Sequence, residues 1–293
     1  MNATRSLNCK NVTKKYGDKI VLNQVNFTLE EGKIYGLIGR NGAGKTTLLS
    51  ILAAHAPLTE GEVLLDEETV WENTNALQYI CFSRELNLSA ASPLWNMRVK
   101  EYLRMAAIYF PFWDQMYADK LIKQFELNTK EKFGKLSKGM LSMVTIIVAL
   151  ASKAPFTFLD EPVAGLDVVM RRVFYKLLLE EYTLSGRTFV ISTHIIEEVS
   201  DVLEEVLIID KGKLLLKENT VELLEKAVEV SGLSEVVDKA VNGLDIQCVE
   251  TVGRRKHAVV LLKEDETIKE EYDVTVKPVG LQDLFVAMCG NEA

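Results

Sequence analysis

Cysteine is scarce in this sequence and unpaired. Its four copies, Cys9, Cys81, Cys248 and Cys289, form no CxxC pair, so neither a zinc site nor a disulfide framework is expected. Long apolar runs are also missing. The longest, MLSMVTIIVALA at 140–151, is flanked by Lys138 and Lys153; it is too short to span a bilayer as a helix and reads as a buried one. The opening stretch MNATRSLNCKNVTKKYG holds no apolar segment of the kind that directs secretion, and a cytoplasmic chain is the expectation. No internal repeat or low-complexity run occurs. Basic character is thin toward the end: from residue 220 onward there are 8 basic and 15 acidic residues, in a chain of net charge -8. That acidic tail makes a poor nucleic-acid binder.

What is present describes a folded chain. Of 293 residues, 48% are hydrophobic and 26% charged, ordinary globular proportions that leave room for one large domain with an appendage or for two domains. Strand-like alternation covers 7–12 and 21–29, where Val25, Phe27 and Leu29 share a face, with KKYGDK as the turn between them. Residues 33–39, KIYGLIG, read as a buried strand whose glycine-rich loop opens a helix from about Lys45 to Ala54. A strand pair is expected in GEVLLDEETV, and helical spacing dominates 97–127. A helix over 138–152 leads to the strand FTFLD, then a helix over 168–184, the strand TFVIST, a short helix at 195–202 and the strand EVLIID. Strands alternating with helices predict an α/β fold with much parallel pairing. After KGKLLLKENT the character shifts: 221–241 reads as a charged helical segment, followed by strands HAVVLL and DVTVKPV and a last helix LQDLFVAMCG. A boundary is placed near 218–222.

Two stretches carry phosphate chemistry. GRNGAGKT at 39–46 fits G-x-x-x-x-G-K-[ST] and sits where that pattern has meaning, between a predicted strand and a predicted helix. Backbone N–H groups from Gly42 through Ala43, Gly44 and Lys45 to Thr46 can surround phosphates at the positive end of the helix. Lys45 can reach their outer oxygens, and the Thr46 hydroxyl can ligate Mg2+. FTFLDEP at 156–162 brings Asp160 to the carboxyl end of an apolar strand, suited to holding the same metal, with Glu161 beside it to accept a proton from an attacking water. An acidic pair after a strand is by itself a common solvated strand end; its coupling to the glycine-rich loop changes that reading.

With these motifs in place, the sequence resembles the nucleotide-binding subunit of an ATP-binding cassette (ABC) transporter over about residues 5–218. Tyr16 ahead of the first turn, LSKGM at 136–140, GLD at 165–167 and STH ending at His194 follow in the family's order. The resemblance implies a P-loop NTPase cassette with a mixed sheet over 1–219, an inserted helical subdomain at about 86–135, and a small α+β accessory or regulatory extension over 220–293. It implies ATP and Mg2+ as cofactors, with Gly39, Arg40, Asn41 and Thr47 completing the phosphate loop. It implies that Tyr16 stacks on adenine, that His194 contacts the γ-phosphate, and that Asp167 crosses a dimer interface. Without the family, Tyr16 is a surface residue, His194 a structural strand-end histidine, and Asp167 a helix N-cap before VVMRRVF.

Two positions depart from the family's pattern. Glu85, at the end of ICFSRE, stands where a glutamine is expected; it can still offer an oxygen to the metal but adds negative charge beside Asp160 and Glu161. In LSKGM, Lys138 and Met140 replace a glycine and a glutamine, while Ser137 and Gly139, which in the family meet the γ-phosphate held by the opposite subunit, remain. SKGM resembles a variant found in cassettes that serve peptide and antibiotic exporters. The implied partners are an integral-membrane permease docked by the helical region, with its SPLWNM and IYFPFW clusters, and a second ATPase subunit, homodimeric or heterodimeric. No nucleic acid is expected, and the chain would lie peripherally on the inner face of the cell membrane. The alternatives are a soluble cassette ATPase working on DNA or ribosomes, whose usual tandem cassettes, zinc cysteines and basic arms are missing here, and a P-loop kinase or GTPase, which would explain neither LSKGM nor STH.

Overall fold

A β-hairpin starts the chain. In the computed structural model, which describes residues 4–86, 88–263, 265–269 and 271–290, β1 (Ser6–Tyr16) and β2 (Lys19–Glu30) pair antiparallel from Tyr16↔Lys19. The expected six-residue turn is tighter, just Gly17 and Asp18, with Gly17 at φ 58° supplying the left-handed residue. Asn11 and Gln24 take positive φ where the register shifts. Leu7, Cys9 and Val12 of β1, and Leu22, Val25 and Leu29 of β2, are buried. Phe27 is only half-buried. β3 (Ile34–Ile38) and α1 (Lys45–Leu52) follow, the helix ending two residues short of expectation as the backbone turns through Ala54 at φ 52°. β4 (Glu60–Leu65) and β5 (Glu68–Thr69) complete an antiparallel sheet of order β2-β1-β4-β5.

Next come α2 (Thr74–Leu77), capped by the Asn73 side chain, and β6 (Ile80–Arg84). The helical stretch consists of α3 (Val99–Tyr109), α4 (Gln115–Gln124) and α5 (Lys138–Ala151). β7 (Phe156–Asp160), α6 (Val168–Ser185), β8 (Thr188–Ser192), α7 (Ile196–Val199), β9 (Glu205–Asp210) and β10 (Lys213–Asn219) then build a six-stranded sheet of order β10-β9-β3-β8-β7-β6. Its strands are parallel except β10. Every residue of β3, β7 and β8 is buried, as a parallel sheet covered on both faces requires. Alternate residues serve opposite cores: Ile34 and Ile38 join the cluster with α5 and α6, while Tyr35 and Leu37 join the one with β1, β2 and α1. The carboxyl ends of β3, β8, β7 and β6 consequently lie side by side, with Leu37 beside Ser192, Ser192 beside Asp160, and Asp160 beside Arg84. Ligands of open α/β sheets bind at this edge.

The tail contains α8 (Thr220–Lys226), β11 (Ala227–Leu233), α9 (Ser234–Ala240), β12 (Asp245–Val252), β13 (Arg255–Leu261), β14 (Val274–Pro278) and α10 (Leu281–Cys289). The continuous helical segment expected over 221–241 is therefore corrected: AVEVSGL is a strand separating two short helices. β11 bonds to β13 on one side and β14 on the other in the antiparallel order β12-β13-β11-β14. Val230 packs with Val237 of α9 and Val260 of the neighbouring β13, so pairing on both edges overrides the local helical pattern. β6, β10 and β12 have no counterpart among the expected strands. Leu223, Ala227, Leu281 and Leu284 join the large cluster that holds α5 and α6, and Gln282 Nε2 donates to Glu197 Oε1 of α7 at 2.9 Å. No helix among the described residues is long and apolar enough to cross a membrane.

Candidate functional site

Between β3 and α1 the chain makes a loop that only small residues permit. A Cβ on Gly39 would lie 2.4 Å from the Ile209 carbonyl oxygen, and one on Gly44, at φ 108°, would lie 2.7 Å from Leu22 Cδ2. Gly212 N–H donates to the Ala43 carbonyl at 3.0 Å, and Asn23 N–H donates to the Gly212 carbonyl at 2.8 Å, which fixes the loop against β2. Lys45 bends back over the loop, its ammonium donating to the carbonyls of Gly39 at 2.6 Å and Arg40 at 3.3 Å. Burial pushes the Lys45 ammonium below its ordinary value, with the carboxylates of Glu161 and Asp160 pulling it back up.

A cavity of about 580 Å³ opens above this loop. Its walls include Asn41, Gly42 and Gly44–Thr47, the β2 residues 19–21, and the acidic pair Asp160 and Glu161. Ala43 is buried beneath it, and Gly39 and Arg40 are not among the lining. Asp160 ends β7 with 7% exposure, and its Oδ1 is buried without a hydrogen-bond partner. Glu161 takes φ 50°, held by its own N–H donating to the Ser192 carbonyl at 2.9 Å. Its Oε2 lies 2.7 Å from Nδ1 of His194, whose ring is largely exposed. A second cavity, about 510 Å³, shares Thr46, Asp160 and Glu161 with the first and reaches Glu85. Glu85 Oε1 is 2.9 Å from the Lys138 ammonium.

The remaining sequence-derived residues lie elsewhere. Tyr16, 54% exposed, sits at the hairpin end with the Lys14 ammonium 4.7 Å above its ring, and does not line either cavity. Ser137 caps α5, accepting from Met140 N–H at 3.2 Å. Gly139 lies against the GLD loop, where a Cβ would come within 2.7 Å of the Gly165 carbonyl oxygen. Asp167 caps α6, accepting from Met170 N–H at 2.9 Å. Sequence reasoning overlooked the cavity walls from β2 and Lys211. Non-local contacts, the Asn23–Gly212–Ala43 bonds and the packing of Leu22 with Ala43, bring those segments over the loop, and no local pattern records such contacts.

This arrangement can accept a polyanion and a cation together. The glycine-rich loop offers backbone N–H groups at a helix start beside a buried ammonium. The orphaned Asp160 oxygen and the Thr46 hydroxyl border one space, a hard oxygen donor set suited to a small divalent ion.

Comparisons with known proteins agree with this chemistry. Residues 22–164 match the profile of the family described as ABC transporter. The chain is 24% identical over 292 residues to the ABC transporter ATP-binding protein YtrB of Bacillus subtilis, with 97% of this chain and 98% of that protein covered. It is 31% identical over 227 residues to the Nod factor export ATP-binding protein I of Burkholderia lata, with 75% and 72% covered. A solved dimeric ATP-binding cassette in a post-hydrolysis state, bound to ADP and Pi, is similar at TM-score 0.62 and 25% identity, with 73% of this chain and 98% of that one covered.

Proposed function

The chain belongs to the ABC transporter family as an ATP-binding subunit with ATPase chemistry, and from that premise we propose that it energises export through a separate integral-membrane permease. Two such subunits would pair head to tail around ATP at the inner face of the membrane. The observation that carries the reading is the single cavity in which Lys45 and Thr46 face Asp160 and Glu161, with one Asp160 oxygen buried and unpartnered.

Thr46 and Asp160 would hold Mg2+, with Glu85 on the wall of the adjoining cavity, and the bound ion would offset charge on the phosphate oxygens. The backbone N–H groups of the loop and the Lys45 ammonium bind and orient the triphosphate. Glu161 accepts the proton of a water that attacks the γ-phosphorus as the bond to the ADP oxygen breaks. His194, within hydrogen-bond distance of the Glu161 carboxylate, orients that base and lies ready for the γ-phosphate. Tyr16, outside the cavity but paired with its wall residue Lys19, would stack on an adenine that projects beyond the cavity. Ser137, Gly139 and Asp167 do not line the cavity of their own chain, which supports their acting on a second copy: Ser137 of the partner subunit and Gly139 of the partner subunit would complete each site on closure.

Residues 220–293 we take as an accessory domain on the ATPase domain of 1–219. Export, rather than import, is supported by the SKGM variant and by the similarity to a Nod factor export protein. For the permease, α3, α4 and the connection between them carry an exposed apolar group, Met105, Ile108, Tyr109, Phe112 and Met116, of the kind that marks an interaction surface. The tagged chain purified from detergent-solubilised membranes should carry a polytopic membrane protein, and Ile108→Asp with Met116→Asp should release it without loss of ATP binding. Recovery of nucleic acid at moderate salt and no membrane protein would overturn the transport reading.

A further inference from the structure

The ion pair between Lys138 and Glu85 joins two segments distant in the chain, the N-terminus of α5 and the loop after β6. Neither residue is explained by its own element. Lys138 is the first residue of α5, a helix with no acidic residue in its first turn, and a cation at that end opposes the helix dipole. Glu85 borders a cavity that already holds two carboxylates, Asp160 and Glu161, where a third adds repulsion. Arg84 borders the same cavity and supplies a fixed positive background.

The stem of Lys138 is also placed. A Cβ on Gly165 would lie 2.7 Å from Lys138 Cγ, so the aliphatic chain runs against the GLD loop, and its ammonium reaches Glu85. Resting on the reading of this cavity as the site of Mg2+ and ATP, we propose that Lys138 is a positioning residue that holds Glu85 at the LSKGM segment, at the start of α5, and withholds its carboxylate from Thr46 and Asp160. Metal binding in the cavity is thereby coupled to the position of the LSKGM segment. When Lys138 shifts, Glu85 becomes an additional oxygen donor beside Asp160 and strengthens metal binding.

The test uses the full chain carrying Glu161→Gln, to keep ATP intact, and measures ATP binding by calorimetry at increasing free Mg2+. Lys138→Met should lower the Mg2+ concentration at half-effect by about threefold, the scale of a partly exposed ion pair, and Lys138→Arg should restore the parent value. In a Glu85→Gln background, Lys138→Met should leave the Mg2+ dependence unchanged. An equal shift in both backgrounds would show that Lys138 acts through its own charge, and no shift with Glu85 present would show that it does not position the carboxylate; either result overturns the proposal. A parent protein that binds no ATP at any Mg2+ concentration overturns the nucleotide reading itself, and the proposal with it. Matching near-ultraviolet circular dichroism across the variants establishes that each is folded.

Discussion

Glu161 is held in a backbone conformation that glutamate rarely adopts, with φ at 50°. A non-glycine residue in the left-handed region costs on the order of 1 kcal/mol and persists where its surroundings fix it. Here the bonds from Glu161 N–H to the Ser192 carbonyl and from Ala164 N–H to the Glu161 carbonyl fix it. The result is a carboxylate directed at the cavity and at His194. A glutamine side chain in its place would keep the size and the hydrogen bond but could not accept a proton. Glu161→Gln is therefore expected to lower the rate of phosphate release by about 10²-fold or more while ATP binding stays within a few-fold of the parent, measured by phosphate release and equilibrium binding on the same preparation. An undiminished rate would remove Glu161 from the role of base. Gly139 is a second residue whose identity the packing dictates, because only a hydrogen fits against Gly165; its retention in LSKGM has a structural reason within its own subunit, in addition to any contact across a dimer.

At the scale of elements, the end of α5 depends on one buried side chain. Arg187, 4% exposed, donates to the carbonyls of Leu150 at 3.0 Å and Ala149 at 3.2 Å and to Thr157 Oγ1 at 3.2 Å. It thus satisfies the last turn of α5 where a cation also suits the dipole. Its guanidinium lies 3.6 Å from Glu181, a carboxylate of α6 that also receives the Lys153 ammonium at 2.6 Å. Arg187→Met keeps the volume but leaves those acceptors buried without a donor, and should cost about 3–5 kcal/mol, seen as a lower urea midpoint. An unchanged midpoint would mean that α5 and α6 are held by apolar packing alone. Elements such as these differ in how far the sequence disclosed them. β3, α5, β7, α6 and β8 were legible because each has one strong period or an unbroken apolar run. β11 was not, since VELLEKAVEVSGL fits either period and only pairing with β13 and β14 decides. In the site, the loop at 39–47 and the acidic pair follow local patterns. The Lys138–Glu85 pair and the β2 wall depend on tertiary contacts that no local pattern encodes.

For the whole molecule, the acidic balance beyond residue 220 marks a change of surface and leaves the core continuous. The tail has a small apolar centre of its own around Val230, Val237 and Val260. Yet Leu223, Leu281 and Leu284 are buried in the same cluster as Val144, Ile147 and Phe174 of α5 and α6. α7, which begins two residues after His194, lies under α10 and is tied to it through Glu197 and Gln282. Deleting residues 220–293 would therefore strip apolar cover from α5, α6 and α7 beside the candidate site. Burial lost at three leucines alone amounts to about 6 kcal/mol or more at the usual cost of 2–5 kcal/mol each. For a chain of this size that corresponds to a fall in melting temperature of roughly 10 °C or more. Calorimetry should show the full chain unfolding in one transition and the truncated chain unfolding earlier, with ATPase activity lost at temperatures the full chain tolerates. If the shortened chain instead melts at the parent temperature, the tail is an independent module, and the contacts of α10 with α7 contribute nothing to the motor.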